Sequence, residues 1–233
     1  DLLDHLECEQ LYLVGDIIDL LSMRKKMHFN AQHYQILCSL QRLAEQGTRV
    51  IYIPGNHDAE LRHFSGGSLL NIEIHRQYIH DTADGRRLLV IHGDELDHAI
   101  LYRAFVRLIG EHAYGLMAFM NRWLARYRQL RGKPYWSLAT YLKTHIGQAR
   151  KTIKAFELAA VEVAAQQGLD GVVCGHIHKA EICSINGLLY CNDGDWTESC
   201  TALVESPSGD LSLVHWIEQP TTLKVQNTLA EAA

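Results

Sequence analysis

Four times in 233 residues an apolar stretch of strand length stops beside a glycine and gives way to a short cluster of Asp, Asn and His. The clusters are Gly15-Asp16-Ile17-Ile18-Asp19, Gly55-Asn56-His57-Asp58, His92-Gly93-Asp94 and Gly175-His176-Ile177-His178. Strands that end together bring their loops to one edge of a sheet, so residues far apart in the chain can share a site there. Glycine in each cluster lets the backbone turn sharply and approach a ligand closely. A lone Asp or His behind a strand is ordinarily a turn former. Four such clusters in one chain point to a common site rich in metal-binding side chains.

The rest of the pattern frames those loops. Leu11–Val14 and Val50–Ile53 are continuous apolar runs, as expected of strands covered on both faces. Between them, residues from about Asn30 to Gln46 have helical apolar spacing, with Asn30 as N-cap and Gly47 as stop. Strand, helix, strand in that order predicts parallel neighbours joined by a crossover. Three antiparallel hairpins follow, at Asp84-Gly85, Asn186-Gly187 and Ser208-Gly209, where tight primed turns with two left-handed residues are expected. The mixture predicts an α/β (α+β) chain whose facing sheets carry outer helices.

From about His98 to Gln167 no strand signal precedes the last cluster, and Leu, Met and aromatic residues recur at helical spacing. This block reads as a helical insertion, or cap, over residues 98–167, with a core over 1–97 and 168–218 and a weakly patterned tail over 219–233. Charge singles it out as well. Leu101 to Ala160 holds eleven Lys and Arg against two acids, +9, and leaves eleven against twenty-five, −14, elsewhere in a chain of net charge −5. A basic segment in an acidic protein suits an anionic partner, although a solvated helix surface has the same composition. With 47% hydrophobic residues the chain can build a core, and it has no apolar run of roughly 18 residues and no signal-peptide pattern. The six cysteines are scattered without a C-x-x-C pair, which predicts free, largely buried thiols and a cytoplasmic setting. No aromatic–basic stripe resembles a strand-binding groove, so no nucleic-acid partner is expected.

Taken together, G-D-x-x-D, G-N-H-D, His before Gly, and G-H-x-H resemble four of the five signature motifs of the calcineurin-like metallophosphoesterase superfamily. The resemblance runs from about Leu11 to Trp196. It implies a four-layer αββα sandwich core, the cap being a subfamily feature, and a hydrolase of phosphoric esters or diphosphates that uses two divalent ions. It also implies roles. Asp16 would bridge both ions, while Asn56 (through its side-chain carbonyl), His92 and His176 complete the second and His178 binds the first. His57 would face the phosphate as transition-state stabiliser or proton donor, with Asp58 holding its imidazole. Two such ions, typically about 3.5–4 Å apart, clamp the attacking and leaving oxygens at phosphorus and supply hydroxide from a bridging water near neutral pH. Mixed Asp, Asn and His ligation suits Mn²⁺ first, with Fe²⁺ or Zn²⁺ as alternatives.

The fifth motif, a strand carrying Asp-x-His, does not occur before Asp16. The chain opens instead in what reads as the helix after that strand, which implies a native start upstream and leaves the first ion only Asp16 and His178. Within the superfamily, Gly15–Asp19 followed by Leu20, His92-Gly93-Asp94, the cap, and Asn192-Asp193-Gly194-Asp195-Trp196 resemble the UDP-2,3-diacylglucosamine hydrolase type. That type cleaves a lipid-linked nucleotide diphosphate at a membrane surface. The resemblance implies a phosphorylated small molecule or lipid-linked nucleotide sugar as substrate. It also implies cap contacts from residues such as Arg122, Trp123 and Arg126, a contact from Asp195, and a peripheral position at the inner membrane face. For Asp195 a strand-ending turn is the other reading. The hydrolase proper has Arg where this chain has His57, which keeps a soluble nucleotide phosphoesterase or pyrophosphatase open. The missing Asp-x-His keeps open a metal-poor, partner-binding scaffold.

Overall fold

The structure, a computed structural model, describes residues 2–24, 29–98, 131, 147–197 and 199–216. The described chain divides into two compact units. Among the described residues, the first comprises those up to His92 with Glu205–Leu211, and the second those from Gly93 to Val204 with residues 212–216.

In the first unit, β1 (Gln10–Val14) and β2 (Arg49–Ile53) pair in parallel, from Gln10 opposite Arg49 to Val14 opposite Ile53. The crossover is α2 (Ala31–Glu45), preceded by the single-turn α1 (Leu20–Met23). Asn30 starts α2 through a capping box: its side chain accepts from the amides of Gln32 and His33, and the His33 ring faces the Asn30 amide. The helix closes with the Gly47 amide on the Ala44 carbonyl and the Thr48 amide on that of Leu43, a Schellman arrangement. Its inner face buries Leu40 and Leu43 with Leu13, Val50, Tyr52, Ile72 and Ile74. Each such side chain contributes roughly 1.5–3 kcal/mol. Leu3, in a turn over residues 2–5 where the sequence suggested a helix, and Leu6 just after it pack against the same cluster.

The sheet continues through β3 (Ser68–Leu69) and β4 (Ile72–Ile74) in the order β1-β2-β4-β3, with β4 parallel to β2. The sequence did not suggest these two strands, which are too short for a period to register. The hairpin of β5 (Tyr78–Asp81) and β6 (Arg87–Val90) completes the unit's strands.

In the second unit, α3 (Gly147–Gln166) packs on β7 (Gly171–Cys174) and β9 (Leu188–Asn192). Phe156, Ala160, Val161 and Ala164 form its buried stripe. β9 runs parallel to β7 and antiparallel to β8 (Glu181–Ile185), and β10 (Thr201–Glu205) pairs with β11 (Leu211–His215). The mixed α/β class is the one the sequence implied. The cap over 98–167 lies mostly outside the described residues, as do Arg122, Trp123 and Arg126 and the tail from residue 217. No helix among the described residues is long and apolar enough to cross a membrane. All six cysteines are free; Cys174 and Cys191 are buried, whereas Cys38 is exposed.

One of the three expected primed turns forms. Asn186 and Gly187 take φ of 53° and 83° between the paired Ile185 and Leu188. At the other two, the Thr82 amide bonds the Arg86 carbonyl and the Ser206 amide that of Asp210, so three residues form each loop. There only the glycine is left-handed, the usual geometry of a longer hairpin loop.

Asn30→Ala removes the side-chain acceptor of the capping box, leaves the Asn30 amide to the His33 ring, and is expected to cost about 1 kcal/mol of unfolding free energy. Leu40→Ala in the same helix is expected to cost about 3 kcal/mol. Urea denaturation of the two variants checks both the sizes and their order.

Candidate metal and catalytic site

Because Val14 and Ile53 are register partners at the ends of parallel strands, the loops that follow them start side by side. The first turns at once: Gly15 and Asp16 both have left-handed backbone, with φ of 75° and 55°. Asp16 thereby turns its carboxylate to the second loop, where Oδ1 accepts the His57 amide at 2.8 Å. A left-handed aspartate costs on the order of 1 kcal/mol over an ordinary conformation, a cost concentrated here on a chemically useful side chain.

His92, the second residue after β6, is buried, and its Nδ1 lies 3.1 Å from the Val14 carbonyl. A carbonyl only accepts, so Nδ1 carries the hydrogen and a neutral ring has its lone pair on Nε2. Nε2 in turn lies 3.3 Å from Asn56 Oδ1 and 3.4 Å from Asp16 Oδ2. Three lone-pair atoms thus converge, an arrangement that calls for a positive charge among them. A divalent ion would meet that need. The Val14 carbonyl plays the part usual for the partner of a ligating imidazole, fixing tautomer and ring direction. Burial tends to raise the Asp16 pKa. The hydrogen bond and charge of His92, with the His57 amide, outweigh burial and hold it at about 2.

Two glycines make room for this group. A Cβ on Gly15 would strike the His92 ring. One on Gly55 would run into the Asp16 carboxylate and come within 2.7 Å of His92 Nε2. The donor set of one carboxylate, one amide oxygen and one imidazole, with a cradle that only glycine leaves open, fits a hard divalent cation.

His57 and Asp58 differ from the expected arrangement. The His57 ring is 40% exposed, and its Nδ1 meets Asp19 Oδ1 at 2.9 Å. Asp58, expected to hold that ring, is fully buried and turned the other way. Its oxygens take the Gly55 amide at 2.6 Å, the Tyr52 hydroxyl at 2.5 Å and the Ile17 amide at 2.9 Å. In this bend the two neighbouring side chains take separate partners, so adjacency in sequence was a poor guide. The second Asp of G-D-x-x-D was the available signal for Asp19. The Asp19 carboxyl is half committed to capping α1 through the Ser22 amide at 2.9 Å. Burial acts to raise its pKa, and Ser22 and His57 together bring it below the usual range.

His176 and His178 stand in the second unit, in the loop after β7, and both have left-handed backbone at φ of 66° and 53°. Buried Ile177 between them bonds the Gly175 carbonyl through its amide at 2.7 Å. The His176 ring lies 6.0 Å from Phe156 of α3. Asn192, fully buried, donates to the Gly175 carbonyl at 2.7 Å and accepts the Gly194 amide at 3.1 Å, tying this loop to the one after β9. Asp195 closes that second loop on itself, accepting from the Thr197 amide and the Ser199 hydroxyl, each at 2.8 Å. This is the turn geometry that was the alternative to a substrate contact. Trp196 beside it is 47% exposed.

Asp16 and Asn56 from the loops after β1 and β2, and His92 from the chain after β6, with the sequence motifs that supply them, have the makings of a metal-dependent phosphoesterase. The profile of the calcineurin-like phosphoesterase family matches residues 1–180, and the chain belongs to that family. It is a hydrolase of phosphoric esters. Similar solved structures include a single mutant of Vps29 from Entamoeba histolytica, at 13% identity and TM-score 0.37, covering 91% of this chain and 71% of that one. An archaeal phosphodiesterase is similar at 12% identity and TM-score 0.39, over 88% of this chain and 98% of that one. Vacuolar protein sorting 29 from Cryptosporidium parvum is similar at 10% identity and TM-score 0.38, over 88% and 95%. No curated protein matches the sequence.

Gly55→Ala is expected to weaken Mn²⁺ binding by about 10-fold or more, the scale seen when support of a metal ligand is lost. The thermal midpoint is expected to move by only a few degrees, roughly the size of a 1 kcal/mol change. Calorimetric Mn²⁺ titration beside a thermal melt checks it.

Proposed function

We propose that the chain is a two-metal hydrolase that cleaves the diphosphate of UDP-2,3-diacylglucosamine or a similar lipid-linked nucleotide. The observation that carries the metal reading is the convergence of His92 Nε2, Asn56 Oδ1 and Asp16 Oδ2 on one point. In this reading Asp16 would serve both ions, Asn56, His92 and His176 would hold the second, and His178 would hold the first. Mn²⁺ is the ion of choice for that ligand set. The ions would supply Lewis acidity at phosphorus and acidify the attacking water.

The protein's own groups do the rest. His57, half-exposed and oriented by Asp19 through Nδ1, keeps Nε2 for the phosphate or the leaving oxygen. Asn56, exposed at the lip of the loop, would hold its oxygen toward the ion while substrate approaches. The lipid assignment is supported by the sequence: Gly15–Asp19 followed by Leu20, Asn192–Trp196, and eleven cations against two acids over Leu101 to Ala160. Arg122, Trp123 and Arg126 are the cap residues proposed to meet diphosphate and acyl chain, at the inner face of the membrane.

His57 itself favours a second reading. The diacylglucosamine hydrolases carry Arg there, so a soluble nucleotide diphosphate or monoester is the rival substrate. The Mn²⁺-loaded protein, offered detergent-dispersed UDP-2,3-diacylglucosamine beside a nucleotide panel, is expected to turn over the lipid. Turnover of nucleotides alone would replace the lipid reading with its rival. Metal analysis of the Mn²⁺-loaded full-length protein is expected to find two equivalents, whereas one or fewer would favour a partner-binding scaffold. His57→Ala is expected to keep its metal and lose about 10²-fold in kcat, the scale of one acid–base group. Asp16→Ala is expected to lose metal, and equal metal loss in both variants would overturn the role given to His57.

A further inference from the structure

Asp58 is a carboxylate with no exposed surface in a protein that could have placed an apolar side chain there. A buried charge persists only where hydrogen bonds replace its water. Here Oδ1 takes the Gly55 amide at 2.6 Å, and Oδ2 takes the Tyr52 hydroxyl at 2.5 Å and the Ile17 amide at 2.9 Å, with that of Ile18 at 3.4 Å. The donors come from three places. Ile17 and Ile18 lie between Asp16 and Asp19, Gly55 immediately precedes Asn56, and Tyr52 belongs to β2 itself. Tyr52 is also a member of the buried cluster beneath α2, so its hydroxyl is carried by a side chain packed in the core.

We propose that Asp58 and Tyr52 are positioning residues that lock the two ligand loops in register, with the Tyr52 hydroxyl anchoring the clamp to the sheet. This inference rests on the metal reading above for its functional consequence. Its geometry sets the spacing of two pairs at once. Holding Ile17 and Ile18 against Gly55 fixes Asp16 against Asn56 on one side and Asp19 against His57 on the other. The carboxylate does both without touching substrate or metal. Tyrosine suits the anchor because its hydroxyl donates to the carboxylate while its ring fills the core. The pairing also raises the Tyr52 pKa, through burial first and then the Asp58 charge, so the hydroxyl keeps its proton.

The experiment compares Tyr52→Phe with the unaltered full-length chain by residue-resolved amide hydrogen exchange and by Mn²⁺ titration. The variant keeps the ring and removes one donor. Exchange at Ile17, Ile18 and Gly55 is expected to speed up by about 10-fold, as a loop freed from its local tie opens more often. Amides of Leu88–Val90 are expected to stay unchanged. Mn²⁺ affinity is expected to fall by roughly 10-fold, the usual effect of losing support behind a metal ligand. Asp58→Asn, which puts a donor where the carboxylate accepted, is expected to act in the same direction and further. Unchanged exchange at the three amides, acceleration spread evenly over the protein, or selective acceleration with unchanged Mn²⁺ affinity each overturns the proposal. Should the unaltered protein take up no Mn²⁺ while the three amides respond selectively, the clamp stands and the metal reading falls.

Discussion

The parallel register of β1 and β2 is the constraint from which the site follows. Val14 and Ile53 end their strands opposite one another, so Gly15 and Pro54 begin their loops at the same level and one strand spacing apart, about 4.8 Å. A slip of one residue would reverse which side chains of β1 face the core, and Leu13 and Tyr52 could no longer both be buried. Core packing therefore enforces the register, and the register delivers Asp16 to the amide of His57. The Val14 carbonyl, the last of its strand, is then free of any further strand pairing beyond Ile53 and can receive His92 Nδ1. One hydrophobic decision in the strands thus sets three polar contacts beyond their ends.

Three of the motif residues share an uncommon backbone conformation. Asp16, His176 and His178 are all left-handed, a region that Asp, Asn and His enter more readily than other non-glycine residues. Asn186 shares that conformation for an ordinary reason, as the first central residue of a primed hairpin turn. The other three sit in loops that follow parallel strands, where no hairpin demands the turn. Their side chains, rather than the chain reversal, account for the choice of residue.

The strands of β1 and β2, the caps of α2 and the hairpin at Asn186-Gly187 could be read from the sequence because each follows from local chemistry. An all-apolar run, a side-chain acceptor before a helix and an Asn-Gly pair act within a few residues. The same reasoning failed at Asp84-Gly85 and Ser208-Gly209, where the identity of the turn residues does not fix loop length. It failed at β4 too, since Ile72-Glu73-Ile74 is too brief for alternation to stand out. At the site, the motifs pointed to Asp16, Asn56 and His92, which the structure brings together, but not to the Val14 carbonyl, because a backbone group has no residue type to recognise. Tyr52 was hidden for a related reason: it looks like any apolar strand residue until its hydroxyl has a partner. Asp58 was assigned to its sequence neighbour His57, although a buried carboxylate answers to the amides around it.

Three aspartates in one small region show how environment divides labour among identical side chains. Asp16 is partly exposed and faces a ring nitrogen and an amide oxygen, so its charge is available to a cation. Asp19 is the most exposed of the three, with one oxygen shared between a helix cap and the His57 ring, so it orients an imidazole without binding it rigidly. Asp58 has no exposed surface and every hydrogen bond it makes is to the protein, so its charge is spent on holding loops. Exchanging the environments of Asp19 and Asp58 would fail on both sides. A buried carboxylate saturated with amides has no lone pair to spare for His57, and an exposed one would be hydrated away from the amides it must gather. The order of burial, from Asp19 through Asp16 to Asp58, is therefore also the order in which charge passes from orienting an exposed imidazole, to facing a half-open cluster of lone pairs, to holding loops.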